Sequence, residues 1–103
     1  MTTSKRRIRV AIVGATGLAG QQFIAALSAH PQFEITALAA SIRSSGKTYR
    51  DAIRNDNGAI QWFASVALPE RIAAMTVEDA EKLDATKVDL VFTAVEEIGR
   101  AHV

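Results

Sequence analysis

Residues 8–20 read IRVAIVGATGLAG, and the rest of the chain is best read outward from them. Ile8, Val10, Ala11, Ile12 and Val13, interrupted by Arg9, make a short apolar run that ends abruptly at Gly14, as a buried parallel strand would. From Leu18 a helical period takes over. Phe23, Ile24 and Leu27, with Gly20 more weakly, share one face, while Gln21, Gln22 and Ser28 are expected to face water. His30-Pro31 ends the helix, because proline disfavours helical geometry in the residue before it and cannot extend the hydrogen-bond ladder. Strand, glycine turn and helix therefore follow without a spacer. Gly14 then permits a sharp exit from the strand, Gly17 removes a side chain where backbone must approach a ligand, and Gly20 lets the helix pack closely. The unpaired N–H groups and positive dipole end of the helix face an anion, with Thr16 adding a hydroxyl. A plain tight turn could use the same glycines. The strand before and the strand after favour the pyrophosphate of a dinucleotide.

That second strand is read over residues 33–40, FEITALAA, with Ile35, Ala37 and Ala39 on one face and Thr36 and Leu38 on the other. An NAD-binding fold usually presents Asp or Glu to the ribose 2′-hydroxyl near its end. Here the place holds Ala39, Ala40 and Ser41. Arg43, flanked by Ser41 and Ser44, offers a charged fork and hydroxyl donors to a 2′-phosphate, so NADP is the expected cofactor. Lys47, in the same polar stretch, reads as a solvated charge.

Further along, the pattern predicts a helical turn over residues 49–54, a tight turn at Asn55-Asp56-Asn57-Gly58 and a strand over 60–66. A proline-first helix over 69–75 follows, then a second short helix over 77–83, with Thr76 and Asp79 spaced like a capping box. The late run over 88–95, VDLVFTAV, is apolar enough for a central strand, and becomes an exposed edge if no strand pairs beyond it. Thr93 and Ala94 lie at its carboxyl end, where open α/β sheets bind ligands. The alternation predicts an α/β fold, a Rossmann-like parallel sheet with helices on both faces, incomplete in this chain.

Composition narrows the functions. The chain has 103 residues, 49% hydrophobic and 22% charged, within the range of one globular domain. Twelve Lys plus Arg against eleven Asp plus Glu leave a net charge of +1, so no global field favours nucleic acid or a membrane surface. There is no cysteine, hence no disulfide, thiolate metal site or cysteine nucleophile within these residues. No apolar leader precedes Gly14 and no run is long enough to span a bilayer, so a cytoplasmic location is expected. Lys5, Arg6 and Arg7 read as a solvated lead-in, Glu96 and Glu97 as a solvated helix start, and His30 as a helix-end residue. Trp62 and Phe63, being adjacent, are expected to divide between core and interface.

These residues resemble the aspartate-semialdehyde dehydrogenases, particularly the archaeal and fungal branch. GATGLAGQQFIAALSAHPQFEITALAAS is similar to the family's opening βαβ unit, ASIRSSGKTYRDA to its 2′-phosphate loop, LPERIAAM to the segment after it, and VDLVFTAVE to its next cofactor-contacting strand. Ala19 and Ile42 depart from the commonest family residues. The resemblance implies an NADP-binding domain over residues 1–97, followed in the family by a dimerisation and catalytic domain. Family members reduce aspartyl-4-phosphate to aspartate semialdehyde through a cysteine thioester that accepts hydride from NADPH, with a histidine as base. By resemblance, Thr16, Gly17, Leu18 and Ala19, between Gly14 and Gly20, would surround the pyrophosphate. Ser41, Arg43 and Ser44 would hold the 2′-phosphate, and Thr93 and Ala94 the cofactor's inner side. The catalytic pair has no counterpart here. The implied partners are NADP(H), a small acyl phosphate and, for the whole protein, further copies of itself. Malonyl-coenzyme A reductase and N-acetylglutamyl-phosphate reductase share the glycine turn and stay open as alternatives, as does a non-catalytic NADP sensor module. Residues 98–103, IGRAHV, depart from the family and match a translated sequencing adapter, so a non-native tail is expected there.

Overall fold

Two parallel neighbours flank β1 (Ile8–Val13) in the computed structural model, which describes residues 7–94. On one side lies β2 (Phe33–Ala40), extended outward by β3 (Val77–Asp79); on the other lies β4 (Leu90–Thr93). The order β3-β2-β1-β4 makes a four-stranded, wholly parallel sheet of Rossmann-like form. Parallel neighbours need crossovers, and α1 (Leu18–Ser28) supplies the one from β1 to β2. Two single-turn helices, α2 (Tyr49–Ala52) and α3 (Glu70–Ala73), lie in the long connection from β2 to β3.

All three helices feed one core. Val10 and Ile12 of β1, Ile24 of α1, Leu38 of β2, Tyr49 of α2, Ile72 of α3 and Val77 of β3 are buried in a single cluster. Each fully buried large aliphatic contributes about 1.5–3 kcal/mol relative to exposure, so this face dominates the stability. The opposite face is built from small residues, with Ala11, Ala37 and Ala39 buried. Beside it run two 3-10 turns, Ala80–Lys82 and Ala85–Lys87. The Asp79 and Asp84 carboxylates cap them, accepting from the Glu81 and Thr86 amides at 2.9 and 3.0 Å.

Several expectations need correction. Alternation along β2 breaks because the register slips between Val10 and Ala11, which pair with Ile35 and Ala37; Thr36 is the extra residue and is exposed. Residues 60–66 form no strand. Only an Arg54–Ile60 bridge pairs there, and Trp62 curls back so that its indole N–H donates to the Val66 carbonyl at 2.7 Å. The helix expected over 77–83 is β3 followed by a 3-10 turn, because Thr76 bridges Thr48 and the Val77 amide donates to the Lys47 carbonyl, drawing the chain into the sheet. Among the described residues β4 is an edge strand, with Leu90 and Val91 exposed.

His30 stays at the end of α1, its amide donating to the Leu27 carbonyl and its Nδ1 accepting from the Gln32 amide. Trp62 is partly buried against the core, edge-on to Tyr49, while Phe63 is exposed. Among the described residues no helix is long and apolar enough to cross a membrane. Lys5, Arg6, Glu96, Glu97 and the tail at 98–103 lie outside the described residues.

Candidate functional site

The carboxyl ends of β1, β2 and β4 meet at the glycine turn. Gly14 leaves β1 with φ +81°, a conformation that only glycine adopts without strain, and the chain reverses there. The amides of Gly14 and Ala15 both donate to the Ala39 carbonyl of β2, at 2.9 and 3.1 Å, so the turn is fastened to the second strand. On the other side Thr93 pairs with Val13, and the Ala94 amide donates to the Val13 carbonyl at 2.7 Å. Thr93 is exposed and Ala94 buried. Thr93 and Ala94 thus lie beside Gly14 at one sheet edge.

Gly20 and Gly17 serve different needs. A Cβ on Gly20 would lie 2.2 Å from the Gly14 carbonyl oxygen and 2.8 Å from the Ala15 Cα, so the close approach is to the turn's own backbone. A Cβ on Gly17 would meet nothing nearer than 3.8 Å, and its φ of −80° suits any residue. Nothing inside the protein requires a glycine at 17. The space above it is open, which is what a phosphate approaching the backbone needs.

Gly17 is also the N-cap of α1, and no side chain caps that end. The first intrahelical bond runs from the Gln21 amide to the Gly17 carbonyl. The amides of Thr16, Leu18, Ala19 and Gly20 find no acceptor among the described residues, and the first turn carries no acidic side chain. Exposed donors at the positive end of a helix favour an anion. Leu18 is exposed at the same end.

Ser41, Arg43 and Ser44 follow β2 directly in a loop of overlapping turns, where the Ser44 amide donates to the Ser41 carbonyl at 2.9 Å. The Ser45 hydroxyl is committed to the Ile42 carbonyl, while the Ser41 and Ser44 hydroxyls and the exposed Arg43 guanidinium have no partner among the described residues. The loop is held from behind: the Gly46 amide donates to the Val77 carbonyl, and Val77 returns a bond to the Lys47 carbonyl, both at 2.8 Å. Beside it a cavity of about 300 Å³ is lined by Ala40, Ser41, Ile42, Asp79, Ala80 and Glu81. A larger one, of about 440 Å³, lies between Arg9, Ala37 and the 3-10 turns and contains none of these residues.

Two structural members of the site were not foreseen. Gln21, expected in water, is 2% exposed. Its amide nitrogen donates to the Gln61 carbonyl at 2.8 Å and, more weakly, to the Thr16 carbonyl at 3.4 Å, while its oxygen accepts the Phe63 amide at 2.8 Å. The signal was its spacing, three before Ile24 on the buried face, overruled by its polarity. Tyr49 is fully buried, its hydroxyl donating to the Ala15 carbonyl at 2.6 Å, and burial pushes the phenol's pKa well above its ordinary range.

Among the described residues no group of His, Asp and Glu could hold a metal ion. The donors present, backbone amides, hydroxyls and one guanidinium, are those that suit phosphates.

Comparison with known proteins agrees. The model of the semialdehyde dehydrogenase NAD-binding domain matches residues 9–100. The chain is 40% identical over 88 residues to the aspartate-semialdehyde dehydrogenase of Schizosaccharomyces pombe, covering 85% of this chain and 23% of that protein. It is 38% identical over 88 residues to that of Methanothermobacter thermautotrophicus, with the same coverage. The crystal structure of aspartate-semialdehyde dehydrogenase with NADP from Candida albicans superposes with a TM-score of 0.75 at 35% identity, over 93% of this chain and 25% of that one. The chain spans about a quarter of the length of these relatives. It belongs to the semialdehyde dehydrogenase NAD-binding domain family.

Proposed function

We propose that this chain is the NADP-binding part, residues 1–97, of a cytoplasmic, homo-oligomeric aspartate-semialdehyde dehydrogenase that converts aspartyl-4-phosphate to aspartate semialdehyde. The observation that carries the cofactor reading is the pairing of an uncapped, carboxylate-free helix start with a 41–44 loop whose guanidinium and two hydroxyls are unpartnered among the described residues. Leu18, Ala19 and Thr16 amides would bind the pyrophosphate over Gly17, Arg43 with Ser41 and Ser44 the 2′-phosphate, and Thr93 with Ala94 the face of the cofactor toward β4. Bound NADPH supplies hydride. These residues hold and orient it; the acyl group and its cysteine belong to a part of the enzyme that this chain, with no cysteine, does not supply. The substrate reading rests on the relatives, all three of which carry the name aspartate-semialdehyde dehydrogenase.

Calorimetric titration of the chain with NADPH and with NADH tests the cofactor reading. NADPH binding the tighter of the two is expected, and equal affinity or a preference for NADH would overturn it. For the substrate, the complete reading frame from the source organism should carry a downstream cysteine and histidine, and its product should form aspartate semialdehyde. Turnover of malonyl-coenzyme A or N-acetylglutamyl phosphate instead would reassign the reaction.

A further inference from the structure

The geometry points to Tyr49 as a positioning residue that aims the Thr16 amide at the cofactor's pyrophosphate by holding the other end of the same peptide group. This rests on the glycine turn binding a dinucleotide. The Ala15–Thr16 peptide is trans, as every peptide among the described residues is, so its C=O and N–H point in opposite directions. The Tyr49 hydroxyl donates to that carbonyl at 2.6 Å from a fully buried position. The Thr16 N–H is therefore turned away from the core, and it meets no acceptor among the described residues.

Tyr49 is itself held firmly. Its amide donates to the Met75 carbonyl at 2.7 Å, its ring meets Trp62 edge-on at 6.4 Å between centroids, and the Thr48 hydroxyl caps its helix by accepting the Asp51 amide. The residue also begins α2 directly after the 41–47 loop, so one side chain ties the loop that faces the 2′-phosphate to the turn that faces the pyrophosphate. Gln21 supports the next peptide through its longer bond to the Thr16 carbonyl. A donor aimed in advance loses little freedom on binding, which is where the added affinity comes from.

The test separates pyrophosphate from 2′-phosphate. Tyr49→Phe keeps the ring and removes only the hydroxyl. With folding verified by circular dichroism, affinity for NADPH and NADH is expected to fall together by about tenfold, the worth of one hydrogen bond to a charged group. Affinity for adenosine 2′-monophosphate, which has no pyrophosphate, is expected to stay unchanged. A purely structural role would lower the unfolding midpoint and leave both affinities intact; that result, or a parallel loss for the monophosphate, overturns the inference. Should Tyr49→Phe not fold, the wild-type chain decides: on NADPH titration the Thr16 amide resonance should move strongly downfield, and a Thr16 amide that does not respond overturns the assignment. A wild-type chain that binds neither dinucleotide refutes the cofactor reading itself, and this inference with it.

Discussion

Gly14 and Gly20 are in backbone contact across the turn: a Cβ placed on Gly20 would stand 2.2 Å from the Gly14 carbonyl oxygen. The obstacle is main chain fixed by the bonds of Gly14 and Ala15 to the Ala39 carbonyl, so it cannot swing aside. Gly20→Ala is therefore expected to cost about 3 kcal/mol or more, the upper end of core overpacking. Gly17→Ala should behave oppositely. Its backbone suits alanine and its Cβ meets nothing within 3.4 Å, so stability should stay within about 1 kcal/mol while NADPH binding is lost to a methyl group in the phosphate's path. Urea unfolding and NADPH titration of the two variants check this; a Gly17→Ala chain that binds normally would remove Gly17 from the site.

The proposed site assigns the choice between the two nicotinamide cofactors to Arg43. Its side chain is exposed and without a partner among the described residues, so truncation should leave the fold intact. Arg43→Ala is expected to weaken NADPH by about 1.5–3 kcal/mol, the range for hydrogen bonds to a charged group, and to leave NADH unchanged. Paired titrations give the selectivity ratio. An unaltered ratio would assign the 2′-phosphate to other residues.

The parts of this fold that could be read from sequence are those where one local signal has one structural answer. The apolar run into Gly14 is β1, and the period of Ile24 and Leu27 ending at His30-Pro31 is α1. Residues 60–66 misled because apolar content alone does not specify a strand: Ile60, Phe63 and Val66 stay exposed, and Gln21 fixes the segment in irregular form through the Gln61 carbonyl and Phe63 amide, forty and more positions away. Residues 77–79 misled because a Thr76-to-Asp79 cap competes with pairing to β2, and Val77 is buried only in the sheet. The turn at Gly14, the close approach at Gly20 and the loop that carries Ser41, Arg43 and Ser44 after β2 were legible because their signals are local. Tyr49 and Gln21 were not, since each acts through a contact that only the tertiary fold creates.

Gln21 accordingly offers a stability test. Gln21→Leu keeps the volume but leaves the Gln61 carbonyl and the Phe63 amide without their protein partner, at an expected cost of about 1–3 kcal/mol. The Phe63 amide should exchange with solvent faster in the variant. Gln21→Glu should be worse at neutral than at acidic pH. A carboxylate can accept from Phe63 but faces the Gln61 and Thr16 carbonyls with no proton to give, which raises its pKa; stability is then present below about pH 4 and lost as pH rises. Chemical unfolding of both variants at acidic and neutral pH measures this, and a Gln21→Leu chain as stable as the parent would show that water replaces the side chain.

Tyr49 makes the fold sensitive to alkali. Burial holds its phenol protonated well past the ordinary tyrosine range, whereas in the unfolded chain it ionises near pH 10. The folded-state pKa is the higher one, so the stabilisation is complete below about pH 10 and is lost as the pH rises further, when only the unfolded state gives up the proton. The expected loss approaches about 1.4 kcal/mol per pH unit, and Tyr49→Phe should remove that slope at the cost of lower stability at neutral pH, its Ala15 carbonyl having lost a donor. Tyr49 is the single tyrosine of the chain, so tyrosinate absorbance reports on it alone. Absorbance and unfolding should therefore rise together on alkaline titration. Ionisation that precedes unfolding, at the pH of a free phenol, would show that the hydroxyl is open to solvent and not bound to Ala15.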